Sequence, residues 1–196
     1  MAVLQHNCMY KLVRFEISPN EFPAFLEKGI GKNGHLQRTE KLAINLIKNN
    51  FLHRQCALFV KSVCLWGGDP RIGGKVIANN KPYIISGTLR EAYWCSCSGD
   101  IAGSLNAVTS LKGLSVSFGS KHLKFLDPDR NVVLDSIIRQ RFGYTNDTNG
   151  YLQWLATCHE FRRLIRDAGV RYPGIGHNGW RVSDIEMAIF NKIQSE

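Results

Sequence analysis

Helix-start signals recur along this chain, whereas runs typical of β-strands are almost absent. Three Ser/Thr-x-x-Glu capping boxes predict helix starts, at Ser18/Glu21, Thr88/Glu91 and Ser183/Glu186. Pro19 strengthens the first of these, because proline is favoured at the first position of a helix. The run 83–85 (YII) is the only strand-like one and is too short to build a sheet. The sequence therefore predicts an all-α protein.

Apolar residues repeat at helical spacing between these signals, for example at Leu42, Ala43, Leu46 and Ile47. We predict helices over residues 18–29, 38–49, 54–65, 72–78, 88–95, 101–111, 119–126, 127–142, 147–167 and 183–193. The glycine-rich run 172–180 should form a loop between the last two helices. A chain of 196 residues can bury one core, or two small helical lobes that share a cleft.

The chain is strongly basic, with 25 Lys+Arg against 16 Asp+Glu and a formal net charge of +9. Such an excess favours a polyanionic partner, most often nucleic acid, although a basic protein without one remains an equal alternative.

No apolar run reaches the ~20 residues needed to span a bilayer, and the first residues lack a signal-peptide pattern. We expect a cytoplasmic protein with no membrane partner. The cysteine spacing predicts no metal site, and we expect no cofactor.

The segment 105–142 carries the most functional information. It predicts two helices joined by a short turn that Gly113 and Gly119 bracket. Backbone N–H groups at the start of the second helix would favour a DNA phosphate. The predicted DNA-binding residues are Gly113, Ser117, Gly119, Ser120, His122 and Lys124.

This segment resembles the helix-hairpin-helix DNA glycosylases, and compact bacterial 8-oxoguanine DNA glycosylase-fold proteins in particular. Their hairpin has the form Leu-x-Gly-hydrophobic-Gly-x-Lys, and a proline-containing loop then leads to a helix with an essential aspartate. The matching residues are Leu111, Gly113, Leu114, Gly119, Ser120 and Lys121, Pro128 in the loop, and 132–136 around the aspartate. The run 180–186 is similar to the closing helix of the compact members. This chain differs in that SVSF separates the two glycines, and in its shorter lysine–aspartate interval.

The resemblance implies one domain over residues 1–196, with a hairpin at about 105–126 and duplex DNA bound between two helical lobes. It implies a monomeric DNA glycosylase that flips out and excises a damaged or modified base. The biological role would be repair, or antiviral removal of modified bases from phage DNA. It assigns catalysis to Asp135 and Lys121. A non-enzymatic DNA-binding module is the alternative.

Each catalytic candidate has a second interpretation. A carboxylate beside an apolar wall stabilises the positive charge that develops on the sugar, but Asp135 could also simply cap a helix. Lys121 could attack the anomeric carbon and add AP-lyase activity, or it could contact a phosphate.

An enzyme that acts on a base inside a duplex must flip it into a pocket with a stacking surface. Trp66 and Trp180 are the predicted stacking residues. His177 and Asn178, in the glycine-rich loop, are predicted to read the edge of the base.

Overall fold

The structure is a computed structural model that describes residues 15–31, 34–174 and 179–196, together with the backbone of Leu4–Gln5. The fold is all-α, as predicted. The helices are α1 (Phe22–Gly31), α2 (Gly34–Lys48), α3 (His53–Trp66), α4 (Pro70–Asn79), α5 (Pro82–Cys97), α6 (Ile101–Thr109), α7 (Val116–Leu126), α8 (Ser136–Phe142), α9 (Thr148–Asp167) and α10 (Val182–Ile193). A 3-10 helix at Pro19–Glu21 precedes α1. Two short antiparallel strands, β1 (Leu4–Gln5) and β2 (Glu16–Ile17), pair with each other.

Two of the predicted helix starts are confirmed. The backbone N–H of Ser18 donates to Glu21 Oε2 at 2.6 Å, so the capping box is formed at the entry to the 3-10 helix. At the start of α9, Asp147 is the N-cap, and its Oδ1 accepts the N–H of Gly150 at 2.8 Å. Both contacts satisfy N–H groups that the helix itself leaves without partners.

The predicted strand-like run and the second capping box are wrong, because both lie within α5. Pro82 is the first helical residue and follows an extended Lys81, so the helix begins six residues before Thr88. Ile85, Leu89 and Ala92 are buried at helical spacing, and this packing outweighs the β preference of isoleucine.

The third capping box is also wrong. The N-cap of α10 is Arg181, whose N–H donates to Asp184 Oδ2 at 3.0 Å. Ser183 and Glu186 therefore lie inside the helix, and both are buried. Along this helix Val182, Ile185 and Ile189 are buried, and Ile193 is half-buried.

The two helices of the informative segment have different bounds from those predicted. Helix α7 begins at Val116, so Gly119 lies inside the helix and does not bracket the turn. A Cβ on Gly119 would lie 2.8 Å from Thr109 Cγ2, and its absence lets α7 pack closely on α6. Helix α8 begins only at Ser136, because Asp127 ends α7 and an irregular segment follows.

The helices pack in two neighbouring sets. In one, α3 contacts α2, α4 and α5, and α6 joins α5 to α7; in the other, α10 packs between α1 and α9. Contacts of α2 with α7 and of α6 with α9 complete the packing, and the buried apolar side chains of both sets form one hydrophobic cluster. Within the described ranges, no helix combines the length and apolar character needed to cross a bilayer.

Candidate active site

A cavity of about 210 Å³ lies where α3 and α7 face α1 and α10. Its lining residues are Gly29, Leu36, Trp66, Gly67, Lys121, Lys124, Val133, Asp135, Glu186, Met187, Phe190 and Asn191. Four of these side chains are ionisable, two basic and two acidic. Because ionisable groups are rarely buried without a purpose, this cavity is the strongest candidate for a functional site.

Helix α7 directs both lysines into the cavity. Lys121 and Lys124 are one turn apart on the same face, and both are buried. Lys121 Nζ lies 3.3 Å from Ser117 Oγ and 4.9 Å from the centre of the Phe118 ring. Gly67, at the end of α3, leaves the space that the aliphatic part of Lys121 occupies.

Burial lowers the pKa of Lys121, because the interior disfavours the charged ammonium. The negative charges of Asp135 and Glu186 act in the opposite direction but are outweighed, while the positive charge of Lys124 adds to the lowering. A larger fraction of the amine is therefore neutral at physiological pH than in an exposed lysine, and a neutral amine is the form that can act as a nucleophile.

Asp135 both caps a helix and lines the cavity. It is the N-cap of α8, and its Oδ1 accepts the N–H groups of Ile137 and Ile138 at 3.0 and 3.1 Å. The same half-buried side chain lines the cavity. Its Oδ2 makes no hydrogen bond with the described residues. Helix α8 thus fixes the carboxylate through one oxygen and leaves the other available.

Glu186 is a cavity residue that the sequence did not identify. It lies on α10 and pairs with Lys124, with Nζ 3.6 Å from Oε2, and both side chains are only 4% exposed. Burial raises the pKa of Glu186 to about 7, against the opposing effect of Lys124. No local signal identifies it, because its spacing from Ser183 matches a capping box and its burial comes from the packing of α10 against other helices.

The two predicted stacking residues lie in different places. Trp66 lines the cavity, with Lys124 Nζ 4.7 Å from its ring centre. Trp180 instead lines a separate open cleft beside Tyr172, and its indole N–H donates to the carbonyl of Val170 at 3.0 Å. His177 and Asn178 lie outside the described residues.

Most of the predicted DNA-binding residues are buried, because α7 begins earlier and packs more deeply than expected. Ser120 Oγ accepts the N–H of Leu134 at 3.1 Å, and His122 Nδ1 lies 2.7 Å from the carbonyl oxygen of Phe118. These two side chains, with Gly119, hold α7 in the fold and have no access to a phosphate. Lys124 faces the cavity. Gly113 and Ser117 lie at the turn and at the first turn of α7.

The connection between α6 and α7 is held by Asn80, which follows α4. Its Nδ2 donates to the carbonyls of Val76 and Lys112, and its Oδ1 accepts the N–H of Lys112 at 3.1 Å. Gly113 has a φ of +104°, a conformation that suits glycine. The N-cap of α7, Ser115, makes no side-chain cap, so the first N–H groups of this helix are available to a ligand.

Among the described residues, no group of three or more His, Cys, Asp or Glu side chains is arranged to hold a metal ion.

Comparisons of this chain with protein-family models, with curated protein sequences and with solved structures find no match.

Proposed function

We propose that this protein is a DNA N-glycosylase, which takes a damaged or modified base out of the duplex and hydrolyses its bond to deoxyribose. The observation that carries the proposal is the cavity that Lys121 and Asp135 share. These are the two residues to which the resemblance assigns catalysis, and they come from separate segments of the chain. Trp66 adds an aromatic wall against which a flipped base can stack.

Asp135 would stabilise the positive charge that develops on the sugar as the glycosidic bond breaks, or activate the incoming water. Cleavage of such bonds passes through an oxocarbenium-like state, and a nearby carboxylate lowers its energy. The two backbone N–H bonds to Oδ1 fix the group before the substrate arrives. A carboxylate held in this way needs little reorganisation during the reaction.

Lys121 would attack the anomeric carbon and form a Schiff base, or hold the substrate by its charge. Its burial and lowered pKa favour the first role, because they increase the neutral fraction of the amine. Its contact with Ser117 Oγ is compatible with either role. Reduction with borohydride distinguishes them, since only a Schiff base is trapped as a covalent adduct.

The DNA would be held at the turn between α6 and α7. Lys112, Gly113 and the uncapped N-terminus of α7 offer positive charge and free N–H groups to a phosphate. The net charge of +9 adds long-range attraction to the duplex. The excised base would be a damaged one in repair, or an enzymatically modified one in foreign DNA.

The test is base release from defined duplexes. Purified protein is incubated with duplexes that carry 8-oxoguanine, uracil, alkylated purines, or hydroxymethylated or glucosylated cytosine, and freed bases are identified by mass spectrometry. We expect release from at least one duplex, its loss in Asp135→Asn, and, if Lys121 is the nucleophile, a borohydride-trapped adduct that Lys121→Gln abolishes. Absence of release from every duplex would contradict the proposal.

A DNA-binding module without catalysis is the second candidate. The cap that Asp135 forms on α8 favours it, because this contact gives the carboxylate a structural role with no reaction. Such a module would bind duplex DNA in a salt-sensitive way, and Asp135→Asn would leave that binding unchanged.

A further inference from the structure

We propose that Glu186 is the general acid of this site and delivers a proton to the departing base. The inference rests on the proposed glycosylase function and adds a third catalytic residue to it. A base leaves poorly as an anion, so a positioned acid lowers the barrier by protonating it as the bond breaks. The two carboxyl groups then have different tasks: Asp135 stabilises the charge on the sugar, and Glu186 protonates the base.

The position of Glu186 supports this role. It lines the cavity from α10, whereas Asp135 and Lys121 enter from α8 and α7. Its Oε2 is buried, and no hydrogen bond to it is formed by the described residues; the nearest cation, Lys124 Nζ, is 3.6 Å away. A buried oxygen without a hydrogen bond is costly, and a ligand atom in the cavity would satisfy it.

The environment of Glu186 also favours its protonated form. Burial is the largest cause of its raised pKa, and the negative charge of Asp135 adds to it, while Lys124 and Lys121 oppose it. Tyr151 and Cys158 face it from α9, and burial raises the pKa of each, so both remain neutral near pH 7. With a pKa of about 7, the group can both carry and release a proton near neutral pH.

The bond between the anomeric carbon and the base nitrogen breaks, and its electron pair goes to the base, which takes the proton of the Glu186 carboxyl group. The oxygen of a water molecule bonds to the anomeric carbon, and the proton that it loses passes to Asp135. Asp135 then releases its proton to solvent, and Glu186 regains one from solvent.

The experiment measures the single-turnover rate of base release against pH, from pH 5 to 9. The substrate is whichever duplex of the 8-oxoguanine, uracil and modified-cytosine set the wild type cleaves. We expect the wild-type rate to fall above about pH 7, because Glu186 loses its proton there. At pH 6 the rate of Glu186→Gln should be about 10²- to 10⁴-fold lower than that of the wild type, and it should not decrease above about pH 7. The rate ratio between the two proteins should therefore shrink by about tenfold for each pH unit above 7.

Two further variants keep the test decisive. Glu160→Gln changes an exposed glutamate on α9 and should retain the wild-type profile. Lys124→Met removes the cation that lowers the pKa of Glu186, so the rate of base release by this variant should begin to decrease at a higher pH than in the wild type. This shift tests the proposal even if Glu186→Gln does not fold.

The outcomes separate the two proposals. Base release with a wild-type rate that is flat or rising from pH 6 to 9 would overturn the role of Glu186 alone. The role of Glu186 would also be overturned if the rate of folded Glu186→Gln still fell above about pH 7. It would be overturned as well if Lys124→Met did not move the pH at which the rate falls. No release from any duplex contradicts the glycosylase function, and the role of Glu186 falls with it.

Discussion

At the residue scale, the cavity depends on a glycine at the end of α3. A Cβ on Gly67 would lie 2.8 Å from Lys121 Cδ and 2.9 Å from Phe118 Cε1, both closer than van der Waals contact. Because Lys121 is buried, its aliphatic chain has little room to move aside. The position of Lys121 is therefore set partly by the absence of a side chain at the end of another helix.

Gly67→Ala should consequently disturb both stability and activity. We expect a loss of about 1–3 kcal/mol in the free energy of unfolding, from overpacking, together with slower base release as Lys121 is displaced. Urea denaturation and single-turnover kinetics measure the two effects. Gly74→Ala in α4 is the matched control, since its Cβ meets no atom within 4 Å and should stabilise the helix slightly. Equal stability of Gly67→Ala and wild type would contradict this packing.

Single residues differ in how far the sequence reveals them. The motif around Lys121 and Asp135 could be predicted, and the structure brings both residues to one cavity. Glu186 could not, because its spacing from Ser183 imitates a capping box and its burial follows from long-range packing of α10. Trp66 and Trp180 look alike in sequence, yet only the surroundings of Trp66 include the two lysines.

At the scale of elements, the turn between α6 and α7 is tied to α4 by one side chain. Asn80 makes three hydrogen bonds, two of them to the backbone of Lys112 in the turn. The turn presents Gly113 and the start of α7, where we propose that the DNA phosphate binds. Its shape therefore depends on an asparagine that is distant in sequence.

Asn80→Ala should loosen this turn. We expect a loss of about 1–3 kcal/mol of stability, because backbone groups of Lys112 lose their partner, and weaker binding to duplex DNA. Fluorescence anisotropy with a labelled duplex at two salt concentrations measures the binding. Asn79→Ala, an exposed neighbour in α4, should change neither quantity. Unchanged duplex affinity in Asn80→Ala would count against the turn as the DNA contact.

Helix bounds were predicted well where local signals decide them and poorly where tertiary contacts do. Asp147 and Ser18 mark helix starts through contacts with residues three positions later: Asp147 accepts the N–H of Gly150, and the N–H of Ser18 donates to Glu21. Gly119 was expected to bracket the turn, but it lies inside α7, where it allows a close approach to α6 that no local pattern encodes. The start of α5 was missed because Tyr83, Ile84 and Ile85 favour a strand locally, although packing places them in a helix.

At the scale of the whole molecule, α7 is a buried helix whose polar residues join the core. Among them, His122 is fully buried, with its Nδ1 next to the carbonyl of Phe118 and its ring edge-on to Phe59. Burial lowers the pKa of this imidazole to about 4. In the unfolded chain the same group has a pKa of about 6.5.

This imidazole should therefore destabilise the folded protein in acid, whereas the raised pKa of Glu186 acts in the opposite direction, so the contribution of His122 is the difference in pH dependence between its variant and the wild type. Below pH 6.5 the unfolded chain binds a proton that the folded protein does not accept until about pH 4, so folding is opposed by up to ~3 kcal/mol across this interval. Urea denaturation between pH 7 and 4 measures the effect. The neutral variant His122→Gln should lose part of this pH dependence, whereas His53→Gln, at an exposed position, should retain it. An identical pH dependence in His122→Gln and wild type would contradict the buried neutral state.

We propose that the Asp135 carboxylate acts in catalysis as well as in capping α8. The measurement is the rate of base release by Asp135→Asn, compared with Asp147→Asn at the equivalent N-cap of α9. Asparagine caps helices about as well as aspartate, so both variants should unfold near the wild-type temperature. We predict that Asp135→Asn slows release by about 100-fold or more and that Asp147→Asn does not. Release by Asp135→Asn at the wild-type rate would show that Asp135 serves only as a cap.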